Sequence, residues 1–81
     1  MTYEYVDKKI LMMVDGKEVG YIEYELKDNS INILHTVVYS EFQGRGYARE
    51  LVNEAIAYAD KQGYALTSVC SYATKVIQKN N

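Results

Sequence analysis

Between Tyr39 and Gly46 the hydrophobic pattern changes its period, and this switch limits the folds open to the chain. Before it, apolar and polar residues alternate as on half-buried strands. In "KEVGYIEYELK", Val19, Tyr21 and, less cleanly, Glu23 point one way; Gly20, Ile22, Tyr24 and Leu26 point the other. In "INILHTVVY" the period-two rule puts Ile31, Ile33, His35, Val37 and Tyr39 on one face. After the switch, Ala48, Leu51, Val52, Ala55, Ile56 and Ala59 recur at helical spacing, with Arg49, Glu50, Asn53, Glu54 and Asp60 opposite them. Gly63 stands just past the last apolar turn, where a helix stops. "YALTSVC" then reads as a short strand with Leu66 and Val69 toward the core, and "SYATKVIQKN" as a last helix capped by Ser71.

Turn chemistry orders the first part of the chain. Asp15-Gly16 between two apolar-rich runs is a hairpin signal, and Asp28-Asn29-Ser30 is a second turn. The predicted order is β-β-β-α-β-α. A right-handed strand–helix–strand crossover places the last two strands parallel. The expectation is an α+β fold: one domain over residues 1–81, with a mixed sheet and the long helix on one face.

Composition excludes several classes of function. At 81 residues the chain holds one domain with a small core, and its 48% apolar content is too high for a disordered segment. The net charge is −2, acids and bases are interspersed, and Arg45 and Arg49 fall near each other with the lysines elsewhere, so no strongly basic face is evident and a nucleic-acid partner is not expected. No apolar run reaches the ~20 residues that span a bilayer. The start, "MTYEYVDKK", lacks the apolar core of a signal peptide. A soluble, cytoplasmic protein with no membrane partner is the default expectation. Cys70 is the lone cysteine and His35 the lone histidine, so neither an internal disulfide nor a metal site is expected. Of the nine tyrosines, those at positions 3, 5, 21, 24, 58 and 64 read as structural, with the ring on the core edge and the hydroxyl in water.

The seam itself reads "EFQGRGYARELV", Glu41 to Val52. It joins the C-terminal end of a strand to the N-terminus of a helix, where the first-turn amides lack intrahelical partners and the helix dipole adds positive charge. Glycine admits a ligand close to those amides, and Arg45 adds a full charge. Gly44, Arg45, Gly46, Tyr47 and Ala48 therefore make either a phosphate cradle or a plain turn into the helix. The pattern alone leaves both readings open.

Gln43-Gly44-Arg45-Gly46-Tyr47-Ala48 also matches Q/R-x-x-G-x-G/A, the pyrophosphate loop of the GNAT superfamily of N-acetyltransferases, in the same strand–loop–helix setting. Over most of its length the chain resembles a minimal GNAT-like domain, of the group of very short GNAT-like proteins. "VCSY", Val69 to Tyr72, resembles the cysteine-then-tyrosine feature of that group. The resemblance implies acetyl-CoA (coenzyme A) as cofactor. Its pyrophosphate would lie on the amides of Gly44, Arg45, Gly46 and Ala48, within the segment Gln43–Arg49, with the Arg45 and Arg49 side chains as phosphate contacts. The pantetheine arm would run between strands ending near Tyr39 and Cys70 and pair with edge groups of Val37, Val38 and Tyr39. The N–H near Val38 would stabilise an oxyanion. The acetyl group would pass to an unidentified amine, a protein lysine or N-terminus among the options. A non-catalytic CoA- or acyl-CoA-binding module and a protein-interaction domain are the alternatives, and monomer and dimer both stay open.

Full-sized members of the family have an N-terminal strand followed by two helices, and further C-terminal strands. The sequence reading finds neither here, so the acceptor side is expected to be open. The family's usual acid is a tyrosine about two turns into the last helix; at that spacing stand Val76, Ile77 and Gln78, while Tyr72 lies nearer the strand. His35, an imidazole and so of a type suited to proton transfer near neutral pH, is either a general base for an ammonium acceptor or a filler of the sheet face. Cys70 is either an acyl acceptor with its pKa depressed by the helix start or a small buried side chain. Glu41 reads as a solvated loop acid.

Overall fold

Two-residue turns set the first four strands in antiparallel order: β1 (Thr2–Val6), β2 (Lys9–Val14), β3 (Lys17–Lys27) and β4 (Ser30–Val38). The computed structural model describes residues 1–79. At Asp15-Gly16 (φ 52° and 78°) and Asp28-Asn29 (φ 50° and 64°) both turn residues have positive φ, as the tight hairpin turn that matches strand twist requires. The chain then makes a short 3-10 turn at Ser40–Phe42, enters α1 (Tyr47–Gln62), returns through β5 (Ala65–Ser68) and ends in α2 (Ser71–Lys79). The sheet order is β1-β2-β3-β4-β5, antiparallel except for the parallel β4–β5 pair. Among the described residues no helix is long and apolar enough to cross a membrane.

β1 is one strand more than the sequence reading contains, and it supplies the N-terminal strand that reading took to be lacking. It pairs from Thr2↔Met13 to Val6↔Lys9 and turns into β2 at Asp7-Lys8. As an edge strand it is mostly exposed, so its sequence carries little apolar signal. Its inward tyrosines reach α1: the Tyr3 hydroxyl lies 3.5 Å from the Glu50 carbonyl, and the Tyr5 hydroxyl donates to the Glu54 carboxylate. Tyr58 of α1 joins Tyr5, Tyr24 and Tyr64 in a ring cluster with centroids 4.9, 6.5 and 6.1 Å away. The rings pack along the core edge, while the Tyr3 and Tyr5 hydroxyls, read from sequence as wet, meet Glu50 and Glu54.

One core lies between sheet and helices. Ile10, Met12, Ile22, Ile31 and Ile33 from the strands meet Leu51, Val52 and Ala55 of α1 and Ala73 and Val76 of α2. Gly63 (φ 76°) ends α1, its N–H reaching the Ala59 and Asp60 carbonyls. Two expectations need correction here. Val69 is 72% exposed rather than core, because its N–H closes the last ladder bond to the Ile33 carbonyl (3.0 Å) while its side chain faces outward. Ser71 is the first helical residue rather than the cap; the Cys70 carbonyl accepts from the Thr74 N–H (2.9 Å) and hydroxyl (3.0 Å). Asn80, read as part of this helix, lies outside the described residues.

The decisive irregularity is in β4. Glu23 pairs with His35 but Tyr24 pairs with Ile33, so Leu34 is an extra residue. Such a bulge bends its strand and reverses which residues face the core. Ile31 and Ile33 point into the core; beyond the bulge Thr36, opposite buried Ile22, and Val38, opposite Gly20, take that side. His35, Val37 and Tyr39 therefore do not share a face with Ile31 and Ile33, contrary to the simple alternation. His35 is exposed on the opposite side, beside Glu23.

Candidate functional site

β4 and β5 pair only from Ser30↔Ala65 to Ile33↔Ser68. Pairing stops where Leu34 bulges, so β4 bends away and its last residues face a gap. Backbone groups alternate between the two sides of a strand. Tyr39 N–H is held by the Val19 carbonyl of β3 at 3.0 Å, which assigns Val37 to the β3 side as well. The resemblance implied edge groups on Val37, Val38 and Tyr39; the alternation instead turns the backbone groups of Thr36 and Val38 away from β3, where the Thr36 N–H meets Cys70 Sγ and the Val38 carbonyl accepts from Gln43. Tyr39 is further committed through its hydroxyl, which donates to the Glu18 carboxylate and is pushed up to about 12 by that bond, then by burial.

Cys70 faces this gap from the other side. Its Sγ lies 3.6 Å from Thr36 Oγ1, and the Thr36 N–H also points at it. As the cap of α2, Cys70 turns its thiol over the amides of Ala73 and Tyr72. Burial acts to raise its pKa, but these hydrogen bonds from Ala73, Thr36 and Tyr72 outweigh it and hold the thiol below its ordinary value. The Cys70 carbonyl is also tied down, since Ser68 Oγ lies 3.0 Å from it and 3.1 Å from the Cys70 N–H. Cys70 is thus fixed at backbone and thiol, and it packs half-buried against the core.

At the upper end of the gap stands the glycine loop. Gly44 and Gly46 have φ of 81° and 80°, and a Cβ at either would meet nothing within 4 Å. Two facts follow. The left-handed backbone demands glycine there, and open space lies beside it. Gly46 caps α1 with its carbonyl, which accepts from Glu50 N–H at 3.2 Å. The first-turn amides of α1 keep no partner within their own helix. Gln43 turns back to donate from Nε2 to the Val38 carbonyl at 3.1 Å, tying the loop to the bent strand. The Arg45 guanidinium sits over the Phe42 ring, 5.8 Å from its centroid.

A groove of about 200 Å³ joins these parts, lined by Val38, Phe42, Gly44, Gly46 and Ala48, with Tyr72 across from the loop. Most of the residues picked out in the sequence therefore converge: Gln43 to Ala48, Val38, Tyr72 and, at the lower end of the gap, Cys70. Arg49 lies one step away, in a neighbouring groove with Tyr72. Val37, Tyr39 and His35 belong to the far face of β4. Thr36 and Phe42 were missed. Phe42 is the one phenylalanine of the chain, set beside the glycines, which was a usable signal; Thr36 had none without knowledge of the bulge.

Chemically, the loop and α1 offer a concave set of N–H donors and a cation, suited to a pyrophosphate. The gap offers an unpaired strand edge, suited to an extended amide-bearing chain. The two meet at Val38, which lines the groove and ends the strand, two residues beyond the Thr36 that touches the Cys70 thiol.

A family model for GCN5-related N-acetyltransferases matches residues 3–81. No curated protein matches the chain. Among solved structures, a GCN5-like protein from Staphylococcus aureus is 23% identical with a TM-score of 0.75, over 98% of this chain and 79% of that one. PaiA N-acetyltransferase from Thermoplasma acidophilum, crystallised with coenzyme A, is 21% identical (TM-score 0.63, 69% of this chain and 35% of that one). A ribosomal-protein-alanine N-acetyltransferase from Brucella melitensis biovar Abortus is 19% identical (TM-score 0.66, 75% and 48%). The chain spans less than half of each of these last two, and at such identities the likeness is one of fold.

Proposed function

The chain belongs to the GCN5-related N-acetyltransferase family, and from that premise we propose that it binds acetyl-CoA in the glycine-loop groove and the β4–β5 gap and passes the acetyl group to an amine. The observation that carries this reading is the meeting of loop, groove and gap at Val38: helix amides, open space beside two left-handed glycines, and the strand edge that β5 leaves unpaired. Bound there, the cofactor would supply an activated acyl carbon as a thioester.

The residues divide the work by position. The amides of Gly44 to Ala48, with Arg45, hold the pyrophosphate. The Thr36 carbonyl faces the arm and accepts from one of its amides, as a strand edge would; the Thr36 N–H and Val38 carbonyl are held by Cys70 and Gln43. The Val38 N–H faces the gap and takes charge from the carbonyl oxygen as it develops. His35, exposed on the opposite face of the bent strand, accepts the proton of the incoming ammonium. Tyr72 lines the groove and donates toward the leaving sulfur.

Cys70 supports a second route. A thiol held below its ordinary pKa is a better nucleophile at neutral pH. The deprotonated Sγ would bond to the acyl carbon as the CoA thiolate leaves; the amine would then take the acetyl group and return Sγ to the thiolate. Mass spectrometry of the protein after brief exposure to acetyl-CoA separates the routes, since only the second leaves an acetyl group on Cys70.

His35 is exposed, which fits an acceptor carried on a protein, a lysine or N-terminus, better than a small amine. The test of the whole reading is an NMR titration with acetyl-CoA, with desulfo-CoA alongside. Joint, saturable shifts of Gly44 to Ala48, Thr36 and Val38 are expected. No shift at millimolar ligand would remove the cofactor reading and leave a protein-interaction domain.

A further inference from the structure

The sheet carries a helix layer on one side only. α1 and α2 both pack on the face that bears Ile10, Ile22 and Ile31, and among the described residues no element covers the other face. That other face is not simply polar. The register puts Leu11, Met13, Tyr21 and Val37 on it, and Leu11, Tyr21 and Val37 stand directly opposite one another across β2, β3 and β4. All four are half-buried, and none is among the side chains that pack against the core. Four acids surround them: Glu4 opposite Leu11, Glu18 opposite Met13, Glu23 opposite His35 and Glu25 opposite Asn32. The lysines in register with this face are two, Lys9 opposite Glu23 and Lys27 opposite Ser30. Lys9 shows how the face takes an ammonium: its Nζ lies over the Tyr21 ring, 4.7 Å from the centroid.

We infer that this face docks the acceptor, a polypeptide segment that lays apolar side chains on the Leu11–Tyr21–Val37 row and sets cations against the surrounding acids. The inference rests on the acetyl-transfer reading above and gives it a binding surface for the amine. His35 ties the two together. It lies on this face, two residues before Val37 and directly opposite Glu23, so an amine that gives its proton to His35 comes in over the same face. Until it gives up that proton the amine is an ammonium, and Glu23 and Glu25 supply the opposite charge. Exposed charge pairs add little affinity by themselves; the apolar row supplies affinity, and the acids select the sign of the partner. A second copy of this chain fits the face less well, because it would bring two acid-rich surfaces together.

The probe is a blocked peptide of leucine, lysine and serine. Two counterparts accompany it, one with glutamate for every lysine and one with serine for every leucine. Each is titrated into the full chain and followed by heteronuclear NMR, and acetyl-CoA is titrated into the same samples. Saturable shifts at Leu11, Tyr21, His35 and Val37 are expected with the first peptide, and each counterpart should bind about tenfold more weakly. Glu23→Gln/Glu25→Gln should weaken the first peptide by about fivefold and Leu11→Ser by about threefold. Glu50→Gln/Asp60→Asn, which removes two exposed acids of α1, should leave it near the wild type, and a thermal melt checks the fold of every variant. Equal losses from the two acid pairs would mean that net charge alone is read, and would overturn the surface. Equal binding of the serine counterpart would overturn the apolar row. Shifts confined to other residues, or none at millimolar peptide, would overturn the docking face and leave the cofactor reading standing where acetyl-CoA still shifts Gly44 to Ala48. Peptide binding by a protein that does not respond to acetyl-CoA would overturn the acceptor role together with the cofactor reading.

Discussion

Cys70 Sγ and Thr36 Oγ1 lie 3.6 Å apart across the gap that opens where β4 and β5 stop pairing. The contact joins the two strands beyond their last ladder bond and helps hold the thiol below its ordinary pKa. A lowered pKa means that the thiolate fraction rises at lower pH. Half-maximal alkylation of Cys70 by iodoacetamide should therefore come at a lower pH than for a free cysteine. Thr36→Val removes the hydroxyl and keeps the shape, so the midpoint should move upward. An unchanged midpoint would assign the shift to the amides of α2 alone.

The glycines permit a cleaner separation of stability from binding. Gly46 and Gly63 flank α1 with nearly equal φ, 80° and 76°, and a Cβ at either meets nothing within 4 Å. Alanine at either site should cost about 1 kcal/mol for conformation alone. Gly46→Ala should in addition weaken CoA binding, since its methyl group enters the space beside the helix amides; Gly63→Ala should leave binding unchanged. Melting curves and titrations of the two variants side by side check this. Equal loss of binding in both would mean that only global stability is being read.

Gly20 makes a different prediction. Its added Cβ would lie 2.3 Å from the Val37 carbonyl oxygen and 3.0 Å from the Val38 Cα. Both are backbone atoms and neither can step aside. Gly20→Ala should destabilise the fold by about 2 kcal/mol or more and, by pushing the end of β4, disturb the gap as well. Denaturant unfolding measures the first effect, and amide shifts at Thr36 and Val38 in the folded fraction measure the second.

How far the sequence disclosed all this depends on the kind of signal each feature leaves. Turn residues with positive φ announce themselves, so Asp15-Gly16, Asp28-Asn29 and Gly63 were readable, as were α1 and the glycine loop. β1 was not, because an exposed edge strand needs few apolar residues. The bulge at Leu34 was invisible in principle: one unpaired residue changes no composition, yet it reverses the faces of all that follows. From that one residue come the misplacement of His35, the exchange of Val37 and Tyr39 for Thr36, and the gap itself. Gly20 was read only as a position in an alternation, since what it makes room for, the backbone of Val37 and Val38, lies far along the sequence on the next strand.

Arg45 carries the sharpest test of the loop. Its guanidinium is exposed yet oriented, 5.8 Å from the centroid of the Phe42 ring that lines the groove. Lys61, in the last turn of α1, is exposed at the far end of the same helix. Charge reversal at either should change stability by no more than about 0.5 kcal/mol, because neither side chain supports the core. Near a bound pyrophosphate, however, Arg45→Glu replaces an attraction by a repulsion. Its CoA affinity should fall by about tenfold or more, with a weaker dependence on salt, while Lys61→Glu stays near the wild type. Phe42→Leu, which keeps apolar bulk but removes the ring face, should give a smaller loss in the same direction. Equal losses for the two charge reversals would mean that the protein's overall charge, and not the loop, governs binding.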